Sequence, residues 1–276
     1  IVWEDFDPTP PKHYVCKNGN EQLESLQESI YNISGSQQGV IEMLVSQYNI
    51  SNTLSTRPDS KIKITTAQGI KTCELKKQAP FNQTMFIPGE SSNLILSNIH
   101  LVGTGQDNGS LVYLDAGASL NVEDGAVLCN NVNADSGSAI YVAHGSVFIN
   151  GGEIKDNKTD AAKENKNGGA VYLSRANGPC SLSIAGGKIY KNVAENGGAI
   201  YVEKNEKNLG LVSISGGSII ENTARKSIGG MAVFDLSVEF SGKPVIQHNF
   251  VAQNDKKESN FYQDETKLKV TSQLEE

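Results

Sequence analysis

The sequence predicts an all-β fold, a parallel β-solenoid with three short strands in each lap of about 30 residues, and three recurring landmarks carry that prediction. The first is a glycine that opens a strand: G-S-L-V-Y-L from Gly109, G-S-A-I-Y-V from Gly137, G-G-A-V-Y-L from Gly168, G-G-A-I-Y-V from Gly197 and a decayed G-G-M-A-V-F from Gly229, at steps of 28, 31, 29 and 32 residues. The second is an apolar-x-apolar strand that runs into glycine, ending at Gly125, Gly152, Gly187, Gly217 and Gly242. The third, apolar-x-x-Asn, follows at once and places Asn131, Asn157, Asn192, Asn222 and Asn249 at one corner. All three strands alternate with period 2, and no part of the unit has the 3.6-residue period of a helix. A unit of this size buries its apolar positions only against the units before and after it. Propeller blades would need about four antiparallel strands per 40–50 residues, which the strand count does not supply.

Three segments follow from this pattern. Residues 1–15 read as an extended leader, because Asp7 to Pro11 holds three of the eight prolines. Residues 16–91 read as an N-terminal cap and irregular first coils. There Asn18 and Glu21 give an N-cap signal, and Leu23, Leu26, Ile30 and Ile33 form the stripe of a helix of about four turns. Such a helix would cover the open end of the solenoid and its unpaired strand edge. Strands at 40–45, 61–67 and 72–76 would complete this part. Residues 92–276 read as regular coils, begun at Leu94 and broken off rather than finished at Glu276.

Alternation sets the direction of each side chain. Val112, Ile140, Val171 and Ile200, with Leu114, Val142, Leu173 and Val202, should form two inward columns. The strand before each glycine tag supplies two more, from Leu120 to Val238 and from Val122 to Phe240. With parallel pairing, adjacent coils sit ~4.8 Å apart, and about six coils give a body on the order of 30 Å long. The recurring asparagines should tolerate left-handed backbone angles and bond amide to amide along the axis.

Composition narrows the function. The chain has 276 residues, 24 Lys and Arg against 31 Asp and Glu, and a net charge of -7, so no basic face for nucleic acid is expected. No apolar run approaches the ~20 residues of a membrane-spanning helix. Five Asn-x-Ser/Thr triplets, at Asn32, Asn49, Asn82, Asn108 and Asn157, are no more than an asparagine-rich sequence yields by chance.

With the G-G-A-[IV]-Y-V and I-x-x-N landmarks in hand, the sequence resembles bacterial cell-surface proteins built on the right-handed parallel β-helix, in the broad pectate-lyase-like superfamily, and the repeats of polymorphic outer-membrane and adhesin-type proteins in particular. The resemblance extends from about Leu23 to Val270, through the K-I-K-I-T-T strand and the N-F-Y-Q-D-E-T-K-L-K-V ending. It implies a secreted or surface-attached protein with an adhesin-like role.

Candidate chemistry is sparse. A polysaccharide lyase needs clustered carboxylates for Ca²⁺ and an Arg or Lys base, but Arg57, Arg175 and Arg225 do not fall at strand centres beside paired carboxylates. Asp156, Lys191, Glu221 and His248 share one outward position, where alternating charge suits an ion-pair ladder better than a pair of glycosidase acids. His13, His100, His144 and His248 lack metal-ligand spacing, so no metal, cofactor or catalytic residue is expected. Cys129 and Cys180 fall too far apart to bridge, while Cys16 and Cys73 both lie in the cap region, where a disulfide is open to them. The one candidate binding platform is Tyr113, Tyr141, Tyr172 and Tyr201, an outward column flanked by Ala139, Ala170 and Ala199. The leading expectation is a non-enzymatic, monomeric fragment of an extracellular protein, displaying a face for a host or cell-surface glycan or protein. The alternative is a carbohydrate-active or carbohydrate-binding β-helix.

Overall fold

The computed structural model describes residues 14–33, 38–105, 109–205, 210–252, 257–264 and 268–270. They form a parallel β-solenoid of about seven turns. Most of the proposed leader, residues 1–13, lies outside the described residues. One lap shows the design. Ile140–Val142 carries a tyrosine, Gly145–Ile149 leads to the glycine tag, Glu153–Lys155 leads to the asparagine, and Lys158–Thr159 is a short fourth strand. Stacked laps build a tyrosine sheet of eight strands, a tag sheet of eleven, an asparagine sheet of eight and a short sheet of six. The three-strand lap predicted from sequence thus gains a fourth side. Strands of two residues, such as Val132–Asn133 and Lys158–Thr159, are too short to display alternation.

The landmarks return in constant register. Leu120 pairs with Val147, Leu182 and Val212 in turn, and Leu128 with Ile154, Ile189 and Ile219. The four inward columns are almost wholly buried, except that Phe240 at the far end is half-buried. Burying a Val, Leu or Ile side chain stabilises by about 1.5–3 kcal/mol, so these columns are the main source of cohesion between coils. At the corner before the tyrosine strand, Gly137, Gly168 and Gly197 have φ of 65°, 66° and 58°. A Cβ there would run into the carbonyl oxygens of Ile140, Val171 and Ile200, which explains the first glycine of the repeat.

The N-terminal cap departs from its predicted form. Cys16–Asn18 and Glu21–Leu23 make an antiparallel hairpin, and the helix is confined to Leu26–Asn32. Gly19-Asn20 is a two-residue hairpin turn, with Gly19 at φ 61°, and it overrides the N-cap signal of Asn18. Ser25 is the N-cap instead, its hydroxyl accepting from the Glu28 N–H at 3.3 Å. Leu23, Leu26, Ile30 and Ile33 are nonetheless all buried against the first coils. The hairpin pairs antiparallel with Gln38–Met43 and so occupies the edge of the tag sheet.

The asparagine corner holds a continuous hydrogen-bond ladder. The backbone N–H of Asn131 donates to Asn157 Oδ1 at 3.2 Å, Asn157 to Asn192 at 3.1 Å, Asn192 to Asn222 at 3.0 Å and Asn222 to Asn249 at 3.0 Å. From Asn157 upward, Nδ2 donates to the same Oδ1 and to carbonyls, as at Asn192 to Ile154 O and Tyr190 O. All five asparagines are fully buried, so the Asn157 triplet offers no accessible amide for modification. The left-handed backbone predicted for these asparagines belongs instead to the residue before each one: Asn130, Asp156, Lys191, Glu221 and His248, at φ of 53–58°. The chain bends there, and the following asparagine can then point inward.

Lys77 closes the lower end of this ladder. It is 2% exposed, and its Nζ donates to Asn131 Oδ1 at 3.1 Å and to Gly109 O at 3.0 Å. At the upper end Asn249 bonds to Asn260, whose Nδ2 donates to Glu258 Oε1 at 2.9 Å. Asn192→Ala should therefore destabilise by on the order of 3 kcal/mol, because it strands the Asn157 N–H and several buried carbonyls. Lys77→Met should cost about 2 kcal/mol by leaving Asn131 Oδ1 and Gly109 O without that donor. Urea unfolding followed by circular dichroism checks both, and a wild-type midpoint in either variant contradicts this account of the ladder.

Candidate functional site

The tyrosine sheet puts Tyr113, Tyr141, Tyr172 and Tyr201 opposite one another on successive coils. Ring centroids are 5.3, 5.2 and 5.8 Å apart, with interplanar angles of 20°, 47° and 13°. The column is longer than the sequence predicts. Tyr201 pairs with Ala232, but Phe234, two residues on, stacks over Tyr201 at 5.4 Å and passes the column to Tyr262 at 5.4 Å. The signal for Tyr262 was present in F-Y-Q, which repeats the V-Y-L pattern, whereas Phe234 lies outside the repeat position.

Stacking changes what the column presents. Interior rings give their faces to each other, so ring edges and hydroxyls line the outer surface, and only the two end rings lack a ring neighbour on one side. Tyr172 is 7% exposed and Tyr113, Tyr141 and Tyr201 are half-buried, which is not the open flat platform expected. Ala139, Ala170 and Ala199 are fully buried at the corner and do not extend the surface. Ser174 lies beside the Tyr141 hydroxyl and Glu203 beside that of Tyr172.

A cleft of about 270 Å³ opens at the Tyr113 end of the column, lined by Thr84, Ser110, Tyr113, Asn133, Asp135 and Tyr141. Its polar groups are fixed by their neighbours. Asn133 Nδ2 donates to Ser110 Oγ and to Ser136 O, each at 3.1 Å, while Asn133 Oδ1 accepts from Asp135 N–H at 3.0 Å. Asp135 is exposed and takes an ion pair from Lys166 at 2.5 Å. A second row of polar contacts continues along this edge, where Asn167 N–H donates to Ser136 Oγ, Asn196 Nδ2 to Asn167 Oδ1 and Ser227 Oγ to Asn196 Oδ1. At the opposite end a cleft of about 320 Å³ is lined by Lys226, Ile228, Lys257, Glu258, Phe261 and Tyr262.

The other candidate residues take structural positions. Buried Arg175 donates to the carbonyls of Glu203, Phe234 and Asp235. Arg225 donates to Thr159 O at 3.1 Å and Thr159 Oγ1 at 2.9 Å. Each thereby ties together coils about 60 residues apart in sequence. Asp156, Lys191, Glu221 and His248 form no ion pair with one another among the described residues, contrary to the expected ladder, because they occupy the bend that turns their side chains away from strand register. His248 meets Glu258 instead, at 3.7 Å. The nearest sheet charges pair as Lys155 with Glu153 at 2.6 Å, joined by the Tyr190 hydroxyl at 2.9 Å.

All four cysteines are buried and unpaired, so the disulfide left open between Cys16 and Cys73 is absent. Their strands belong to different sheets, and Cys16 Sγ points to the carbonyls of Leu23 and Ser25. Burial pushes the thiols up to about 11 at Cys16, Cys129 and Cys180 and to about 12 at Cys73. Among the described residues, no group of three His, Cys, Asp or Glu is placed to hold a metal ion. No helix among them is long and apolar enough to cross a membrane.

Burial raises the phenol pKa of Tyr113, Tyr141, Tyr172 and Tyr201, most strongly at Tyr172, where Glu203 adds to the effect. A raised folded-state value means that the stabilisation is complete below the unfolded value near 10 and is lost as pH rises through the folded values. Absorbance at 295 nm should show part of the tyrosine ionisation delayed until the protein unfolds at alkaline pH. Tyr172→Phe should shrink that delayed fraction, and normal titration of every tyrosine in the folded protein contradicts the burial described.

No known family model matches the chain, and no curated protein or solved structure matches it significantly.

Proposed function

We propose that this chain is a non-enzymatic, extracellular β-helix that acts in adhesion, with the Tyr113 end of the tyrosine column as its binding face for a cell-surface glycan. The observation that supports this reading is the convergence, in one cleft, of the end ring of an aromatic stack with Thr84, Ser110, Asn133 and Asp135. A sugar ring has apolar C–H faces and hydroxyl edges. An aromatic face beside preset hydroxyl, amide and carboxylate groups matches both. A secreted or surface location, and kinship with pectate-lyase-like and adhesin-type bacterial proteins, belong to the same proposal and rest on the repeat motifs. Pairing of Asp135 with Lys166 favours a binding role for that carboxylate over proton transfer.

The alternative is a carbohydrate-active enzyme using the same cleft, and the presence of Asp135 among sugar-compatible groups is the observation in its favour. One set of variants separates the two. Tyr113→Ala and Asp135→Asn should each weaken binding on a glycan array or in calorimetry by about tenfold, with cooperative unfolding retained. Bound oligosaccharide should be recovered intact. Binding unaffected by both variants sinks the site, and release of new reducing ends or unsaturated products, abolished by Asp135→Asn, replaces adhesion with catalysis.

A further inference from the structure

We propose that a second cleft, between the capping helix and the first strand of the tyrosine sheet, recognises the carboxylate of an acidic sugar through Arg57. This cleft of about 660 Å³ is lined by Gln27, Tyr31, Thr53, Ser55, Thr56, Arg57 and Pro58. The Arg57 guanidinium lies over the Tyr31 ring, 4.1 Å from its centroid, and Tyr31 as a residue is 57% exposed. Arg175 and Arg225 direct their guanidinium groups to carbonyls and a hydroxyl. Among the described residues, none accepts a hydrogen bond from the guanidinium of Arg57, and its Nε is sealed from solvent without a partner.

A guanidinium held on an aromatic face keeps its rigid fork of donors in the ring plane's neighbourhood, and that fork matches the two oxygens of a carboxylate. The surrounding groups are preset. Gln27 is locked to Ser55 by two bonds, Nε2 to Ser55 O at 3.2 Å and Ser55 N–H to Oε1 at 3.1 Å. Thr56 Oγ1 donates to Arg57 O and accepts from Gly89 N–H at 2.9 Å, which fixes the backbone that carries the arginine. The result is one cation among short hydroxyls, an amide and an exposed aromatic ring. One cation answers one carboxylate, and the hydroxyl-rich lining with Tyr31 suits the rest of a pyranose. A phosphate or an acidic peptide carries more charge to neutralise, and Arg57 is the only charged residue in this lining.

The site does not depend on the Tyr113 cleft, although it lies on the same side of the solenoid. Ser55 pairs with Ile87, and Phe86, its neighbour, pairs with Val112 beside Tyr113. The test is titration of the intact chain, by calorimetry and amide NMR, with N-acetylneuraminic acid, glucuronic acid, glucose, inorganic phosphate and a glutamate-rich peptide. The acidic sugars should bind and shift the amides of Gln27, Tyr31 and Ser55, while glucose should not. Arg57→Gln should weaken binding by about tenfold or more, with Arg57→Lys intermediate. Tyr31→Ala, which alters an exposed ring, supplies a second variant that should also weaken binding if Arg57→Gln fails to fold. Tyr113→Ala should leave this titration unchanged, so failure of the first cleft and failure of this one are separable. The proposal is overturned if neither acidic sugar binds, if glucose binds equally, if phosphate or the peptide binds more tightly, or if the Arg57 and Tyr31 variants retain full affinity.

Discussion

The register of the regular coils depends on the buried asparagine ladder. Apolar columns pull the coils together but are tolerant of sliding, because Val, Ile and Leu pack against one another in several offsets. An amide that must donate to two carbonyls and accept from the coil below has only one satisfactory position, and leaving it unsatisfied in a dry interior costs ~1–3 kcal/mol for each group. The ladder also has a direction. Each backbone N–H donates upward to the next Oδ1, so acceptor character accumulates at Asn131 and donor character at Asn260. Lys77 brings a positive charge to the first end and Glu258 a negative charge to the second. This is the arrangement that stabilises a helix dipole, here applied to a row of side chains.

Much of this was legible because a solenoid writes its fold in repeats. Glycine tags and I-x-x-N corners fix both period and strand direction without any knowledge of the loops. What was missed lies where the period gives no information. The hairpin at Gly19-Asn20 occurs once, so no second copy corrected the helix periodicity read through Leu23. The left-handed angle was assigned to the repeated asparagine, but it belongs to the variable residue before it, since the variable residue is the one whose side chain need not enter the core. Lys77 falls two laps before Asn131, in a coil whose sequence lacks the motif, and only the fold brings its ammonium to the ladder.

The candidate sites were legible to a smaller degree, for a related reason. The tyrosine column was read directly from the repeat. Its clefts were not, because they are made by residues between landmarks, such as Thr84 and Asp135 at one end and Lys257 at the other. Loops of unequal length separate the repeated strands, and they can change without disturbing the register held by the core. Buried Arg175 stabilises this variable region by fastening loop carbonyls from two higher coils.

The stacking that makes the tyrosine column cohesive also limits where it can bind. Two rings in contact exclude the ligand from the faces between them, and each interior tyrosine then contributes an edge and a hydroxyl, with Ser174 beside that of Tyr141 and Glu203 beside that of Tyr172. Recognition by ring faces is thereby displaced to the first and last rings, where the repeat meets irregular chain. Adding identical coils would lengthen the stack without creating another end. Tyr31 follows the same logic from outside the column, since it is not stacked within it, and one of its faces is taken by Arg57 rather than by another ring. In this solenoid, regular coils supply rigidity, and the interruptions of their regularity supply the surfaces on which chemistry can act.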